Sequence, residues 1–248
     1  ASGVLGDQLA AQTILNGTDT TNLKGAEFCL GYGISAAEMS AAGRMRTVAT
    51  IPDPSATGTT SIGCLPLPIA QGWNLLGNGL NQSIPVASPY GDFAWVSSVW
   101  KWDAAQKRWQ FYAPLMDAAT LQSFTSGKGY GILSDIQPGE GYWVNAKAPG
   151  SVLFESGTPY ALTTSNLVPG WNLVATGIGI TPSQFQNNLK ASPPGTGVTT
   201  LWAWDSASSQ WYFYAPSLEA QGGTALADYI ANKGYRDFGS NNKTLGNG

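Results

Sequence analysis

Acid–base and nucleophilic chemistry at neutral pH draws most often on histidine, and this chain of 248 residues has none. The same absence removes the commonest nitrogen ligand for metals and every Ser-His or Cys-His arrangement. No Gly-rich phosphate loop follows a strand pattern. The carboxylates whose spacing recurs reduce to Asp103 and Asp205, which close the runs Trp100-Lys101-Trp102-Asp103 and Trp202-Ala203-Trp204-Asp205. A glycoside hydrolase needs two facing carboxylates. Here one from each run would have to meet across two halves of the chain. The plainer expectation is that each Asp caps the turn that follows it. The chain is therefore expected not to be an enzyme, with no catalytic residue, cofactor or metal. Glycoside hydrolysis stands a distant third among its functions.

The aromatic residues offer binding rather than catalysis. A pyranose ring presents an apolar CH face that stacks on an exposed indole. Trp100, Trp102, Trp109 and Tyr112, with Trp202, Trp204, Trp211 and Tyr214, would make such a platform for a glycan, or an interface for a protein partner. Trp and Phe at period two on one strand face also fill β cores. Core, sugar platform and partner interface all remain open from the sequence. Tyr112 and Tyr214 alternate with the Trp and are expected on the opposite face, as the more exposed aromatics. Cys29 and Cys64 make at most one disulfide. In an oxidising compartment that bond would close a 36-residue loop, contributing roughly 3–4 kcal/mol. The alternative is two buried thiols.

The elements that must position these residues come in two sets. The first reads Gly72-Trp73-Asn74-Leu75, then Val99 to Asp103, Trp109-Gln110-Phe111-Tyr112-Ala113-Pro114, Lys128-Gly129-Tyr130 and Gly139-Glu140-Gly141-Tyr142-Trp143-Val144. The second reads Gly170-Trp171-Asn172-Leu173, Leu201 to Asp205, Trp211-Tyr212-Phe213-Tyr214-Ala215-Pro216 and Lys233-Gly234-Tyr235, and reaches Gly246-Asn247-Gly248. Offsets between the sets grow from 98 at Trp73/Trp171 to 102 at Trp102/Trp204 and 105 at Lys128/Lys233. Insertions thus fall between motifs, as they do in loops joining fixed strands. Period-two alternation before and after Asp103 predicts a hairpin in each set. One short helix follows each hairpin. Asp117 is expected to cap the first, with Leu121 and Phe124 inward. Thr224 is expected to cap the second, with Leu226, Tyr229 and Ile230 inward and Gly234 ending it.

Composition agrees with an all-β reading. Only 11% of residues are charged, 43% are hydrophobic, and 31 Gly with 15 Pro punctuate the chain with turns. Net charge is −3 with no basic run, so nucleic acid is not expected as a partner. No apolar stretch is long enough to span a membrane. All ten Trp lie beyond residue 66. That shift divides the chain into a small N-terminal α+β segment (1–66) and two tandem, sandwich-like β-repeats (67–157 and 158–248) with one short helix each. In the first segment a helix is expected over Asp7–Leu15 and strands at Glu27–Gly31 and Arg46–Ile51.

The motif set GWNL…VWKWD…WxFYAP…GYWV resembles a repeat of bacterial exported and cell-surface proteins, which often join such repeats to other β modules. The resemblance covers residues 67–248. It implies export, a β-rich module and a role at the cell surface, and it brings no catalytic residues. The family pattern would continue past Gly248 into a strand like Tyr142-Trp143-Val144. These readings lead to a secreted structural or adhesive protein that self-associates, with a filament subunit as one form. In that form the N-terminal residues Val4, Leu5, Thr13, Ile14 and Leu15 supply the strand to the next subunit. A pair of carbohydrate-binding modules for cell-surface polysaccharide is the alternative.

Overall fold

The computed structural model describes residues 64–155, 158–191 and 197–245. The expected N-terminal helix and strands, the Cys29–Cys64 pairing and the donor residues Val4, Leu5, Thr13, Ile14 and Leu15 fall outside these. In chain order the elements begin with β1 (Cys64–Ile69), β2 (Gly72–Gly77), β3 (Ile84–Pro85), α1 (Ala87–Tyr90), β4 (Val96–Asp103) and β5 (Arg108–Tyr112). There follow α2 (Ala118–Lys128), β6 (Gly131–Ile132), β7 (Asp135–Ile136), β8 (Gly141–Ala146), β9 (Gly150–Glu155) and α3 (Pro182–Ala191). The last are β10 (Leu201–Asp205), β11 (Gln210–Tyr214), α4 (Pro216–Glu219), α5 (Ala225–Lys233) and β12 (Arg236–Asp237). The described residues are thus predominantly β, with several sheets and a few short helices.

The chain divides into two compact units, Ala1–Pro68 with Ser151–Ser156, and Ile69–Gly150 with Gly157–Gly248. In the first unit the described segments are those of β1 and β9, which pair. Everything that follows concerns the second unit, which contains both motif sets. Its main sheet runs β2-β8-β4-β5-β6, a separate sheet runs β10-β11-β12, and β3 pairs with β7.

Both expected hairpins form, and in one register. In β4–β5, Val99 faces Tyr112, Trp100 faces Phe111 and Trp102 faces Trp109. In β10–β11, Leu201 faces Tyr214, Trp202 faces Phe213 and Trp204 faces Trp211. Each turn passes through one left-handed residue, Lys107 at φ 51° and Ser209 at φ 52°. The carboxylate of Asp103 accepts from the Gln106 N–H at 3.0 Å, and that of Asp205 from the Ala207 N–H at 3.1 Å. Each Asp therefore holds its own turn, as Asx side chains do.

Each hairpin leads through a helix to a short parallel strand, β5 to β6 and β11 to β12. Asp117 caps α2, accepting from the Thr120 N–H at 2.7 Å, and Gly129 ends it in the left-handed conformation. Leu121 is buried against Phe111, with Phe124 beside it. Gly234 ends α5 in the same way. Two details of α5 depart from expectation. The Thr224 hydroxyl donates to Asp228 at 2.8 Å instead of capping the backbone. Tyr229 lies at the rim, 37% exposed, with its ring 5.1 Å from that of Phe213.

The core centres on β8, which lies between β2 and β4. Its alternation buries Tyr142, Val144 and Ala146 on one face and half-buries Trp143 and Asn145 on the other. Tyr142 reaches Tyr90 of α1, hydroxyl to hydroxyl at 2.8 Å, with both residues fully enclosed. Burial pushes both phenol pKa values well above the ordinary range, so the pair stays neutral.

The Gly-Trp-Asn-Leu tetrapeptide folds locally alike in both places. Asn74 bridges the Ala70 N–H and C=O and the Gly72 C=O at 2.8, 2.8 and 3.0 Å. Asn172 does the same with Val168 and Gly170 at 3.1, 2.8 and 3.0 Å. Beyond that clamp the two diverge. The first copy becomes β2, paired along its length with β8. In the second, the pairing of Trp171-Asn172-Leu173-Val174 is a single bridge, Val174 to Glu140.

Candidate functional site

The tryptophans of the two motif sets meet across the unit and exchange hydrogen bonds. The Trp102 indole N–H, at the end of β4, donates to the Trp171 carbonyl at 3.0 Å. The Trp204 indole N–H, at the end of β10, donates to the Trp73 carbonyl at 2.8 Å. Each hairpin thus latches the Gly-Trp-Asn-Leu loop of the other set. Trp143 of β8 stands at the crossing, with ring centroids 6.2 Å from Trp73, 6.0 Å from Trp204 and 5.7 Å from Trp211. A third contact ties the sets through the backbone: the Gly141 N–H donates to the Leu173 carbonyl at 3.0 Å, and the Ala175 N–H to the Gly139 carbonyl at 2.9 Å.

Geometry separates the three readings of the aromatics. Trp100, Trp102, Trp109, Trp202, Trp204 and Trp211 are all half-buried. Their rings meet edge to face: Trp102 and Trp109 are inclined by 64°, Trp204 and Trp211 by 64°, and Trp202 and Trp211 by 88°. Such pairs are the favoured packing of quadrupoles. They do not form a coplanar shelf of exposed rings. Tyr112 is half-buried, and Tyr214 is buried, so Tyr214 is not the exposed aromatic that strand alternation suggests. The reason is that the far face of the β10 hairpin is covered too: Tyr212, Tyr214 and Phe238 form one cluster there, and Phe213, Ala215 and Ile230 another on the near face. The exposed indoles are Trp73 at 45% and Trp171 at 69%. Sequence reasoning passed over these two and Trp143 as site residues. The signal was present, since all three sit in the recurring motifs.

The polar groups near the latch are engaged in structure. Lys101, buried, places its ammonium 2.8 and 2.7 Å from the two oxygens of Glu140. Glu140 also accepts from the Gln137 N–H at 2.7 Å. Asp205 holds Arg236 at 2.6 Å, and the guanidinium lies 5.1 Å over the Tyr212 ring. Burial acts to raise the Asp205 pKa, but hydrogen bonds from Ser208, the Arg236 charge and the Ala207 N–H outweigh it, and the net shift is downward. A carboxyl lowered on folding adds stability above its unfolded pKa of about 3.9, and that stability is lost as pH falls through the folded value. Asp205→Asn is accordingly expected to flatten the acid limb of a stability–pH curve below about pH 4, measured by thermal melts. An unchanged limb would count against the pairing. A cavity of about 440 Å³ beside α4 includes Tyr214, Glu219, Asp237 and Lys243 in its lining. There the Ser183 and Tyr214 hydroxyls both hydrogen-bond the Glu219 carboxylate, Tyr214 at 2.5 Å. Among the described residues no cluster of three or more His, Cys, Asp or Glu side chains is arranged to hold a metal, and no helix is long and apolar enough to cross a membrane.

The remaining feature is a strand edge without ladder pairing among the described residues. β4 is flanked by β5 and β8, whereas β10 has β11 on one side and no paired strand of the described residues on the other. β2 lies on that side, with Cα atoms within 8 Å of β10, and the two leave a narrow groove of about 90 Å³ whose lining includes Leu75, Val174, Phe185, Leu201, Ala203 and Leu245. No protein family, no curated protein and no solved structure matches this chain.

Proposed function

We propose that this chain is an extracellular structural or adhesive protein of the cell surface, built on two tandem sandwich-like β-repeats. Copies associate head-to-tail by strand complementation along β10. The observation that carries the reading is the contrast between β4, paired on both sides by β5 and β8, and β10, which among the described residues is paired by β11 alone. An unpaired strand edge presents free N–H and C=O groups and takes up another extended chain readily. A donor segment on one copy and a different acceptor surface on the next give a contact that does not close on itself, hence a filament. The interlocked Trp latch supports a mechanical rather than catalytic role, and the motif resemblance to exported bacterial repeats supports the location. The donor is the N-terminal segment that includes Val4, Leu5, Thr13, Ile14 and Leu15.

The exposed Trp73 and Trp171 favour a second reading, binding of cell-surface polysaccharide through those two indoles. Negative-stain microscopy and sedimentation of the 248-residue chain at micromolar concentration separate the two. Polymers that vanish on deletion of residues 1–15, while the remainder stays folded, are the expected result. A monomer that binds polysaccharide, with affinity lost in Trp171→Ala, would replace the first reading by the second.

A further inference from the structure

Apart from any assembly, we propose that the cavity beside α4 binds an uncharged sugar, with one ring in the cavity and a second in the hollow that adjoins it. The cavity holds about 440 Å³, the size of small-molecule sites in general. Phe213, Phe238 and Leu226 give it an apolar wall, and Glu219, Asp237 and Lys243 add polar groups to the same lining. A hollow of about 210 Å³ shares Glu219, Leu226 and Asp237 with it and extends to Gly222 and Gly223. The two carboxylates therefore stand where the two spaces meet.

These polar groups are held in place and keep unused capacity. The Ser183 hydroxyl donates to one oxygen of Glu219, and the Tyr214 hydroxyl to the other at 2.5 Å. Each oxygen retains a lone pair for a further donor. Burial, and after it the bond to Glu219, raises the Tyr214 pKa, so the phenol remains a donor at neutral pH. Asp237 accepts from the Gly239 N–H on Oδ1 at 2.9 Å, and its Oδ2 has no partner among the described residues. The ion pairs of the described residues are Lys101–Glu140 and Asp205–Arg236. The Lys243 ammonium thus lines the cavity without a counter-charge in contact.

The fold does not require carboxylates here. Asp237 of β12 pairs with Phe213 as Ile132 of β6 pairs with Phe111. One register position carries an apolar residue in the first motif set and an acid in the second. Glu219 ends α4, and no helix stands between β5 and α2.

Charge narrows the ligand. Two carboxylates against one ammonium repel an anion, and the ammonium opposes a cation. A sugar hydroxyl both donates and accepts. One hydroxyl can give its proton to Asp237 Oδ2 while its neighbour accepts from Lys243 Nζ. The apolar CH face of the ring then lies against the Phe213 and Phe238 side of the wall.

The test is saturation-transfer NMR and calorimetry on the full chain. The probes are glucose, galactose, mannose and N-acetylglucosamine, with the disaccharides cellobiose, lactose, mannobiose and chitobiose. At least one monosaccharide is expected to bind with Kd of about 1 mM, and its disaccharide about tenfold more tightly. Asp237→Asn keeps an acceptor for the Gly239 N–H and removes the charge. It and Lys243→Met should each weaken binding about tenfold without moving the thermal midpoint, while Lys128→Met leaves binding unchanged. Binding that survives both Asp237→Asn and Lys243→Met but is lost in Trp171→Ala would overturn this site in favour of the exposed indoles. No binding of any of these sugars at concentrations about tenfold above that Kd would overturn it outright. None of these readouts depends on polymers, so failure of the head-to-tail reading leaves the site standing.

Discussion

Tyr142→Ala is expected to lower the unfolding free energy of the second unit by about 4 kcal/mol. The residue is fully enclosed at the centre of β8, so truncation leaves a cavity walled by β2, β4 and α1 that rigid strands cannot close. It also strands the Tyr90 hydroxyl, whose partner at 2.8 Å is removed. The polar part can be isolated. Tyr142→Phe keeps the ring and should cost about 2 kcal/mol, because a buried hydroxyl loses its partner. Adding Tyr90→Phe removes the orphan, and the double variant should recover more than half of that loss. Urea denaturation reports the whole cycle, as shifts in midpoint at constant slope. A neutral Tyr142→Phe would show that the hydroxyl pair contributes little.

Glu140→Gln should cost about 3 kcal/mol, since it leaves the Lys101 ammonium buried without a counter-charge. The side chain of Lys101 is 8% exposed and that of Glu140 31%, which places the effect toward the low end for enclosed pairs. Lys101→Met combined with Glu140→Gln is expected to return within about 1 kcal/mol of the unmodified chain, because the uncompensated charge is gone. The sequence already contains a related exchange. The second motif set carries Ala203 at the place of Lys101 and Asn247 at that of Glu140, so both partners change together. A single Glu140→Gln as stable as the parent would mean that the ammonium finds another acceptor.

Much of this arrangement is legible from residue order, and the reasons for success and failure are physical. The hairpins follow from alternation, the turns from Asp103 and Asp205, and the end of α2 and α5 from Gly129 and Gly234, all of which act within a few residues. The fate of Gly-Trp-Asn-Leu does not follow from its own letters. Asn74 and Asn172 clamp the same loop with the same three bonds, yet only the first copy extends into a strand, because only there does β8 lie alongside among the described residues. Strand identity in that stretch belongs to the partner and not to the tetrapeptide. Nor does alternation reveal that both faces of the β10 hairpin are covered, which is why Tyr214 is buried. The latch is invisible for a related reason. Trp102 and Trp204 donate to carbonyls 69 and 131 residues away in sequence, and no local pattern encodes a contact with a main-chain acceptor.

The edge-to-face tryptophans also give the molecule an optical signature. Indole transition moments held about 5–6 Å apart at steep mutual angles, as in Trp102–Trp109 and Trp204–Trp211 at 5.4 and 5.0 Å, mix their excited states. The mixing produces paired bands of opposite sign in circular dichroism, superimposed on the backbone signal. Because Trp143 joins Trp73 to Trp204 and Trp211, part of that signal arises between the two motif sets. Its loss on heating therefore reports their separation, independently of the melting of either hairpin.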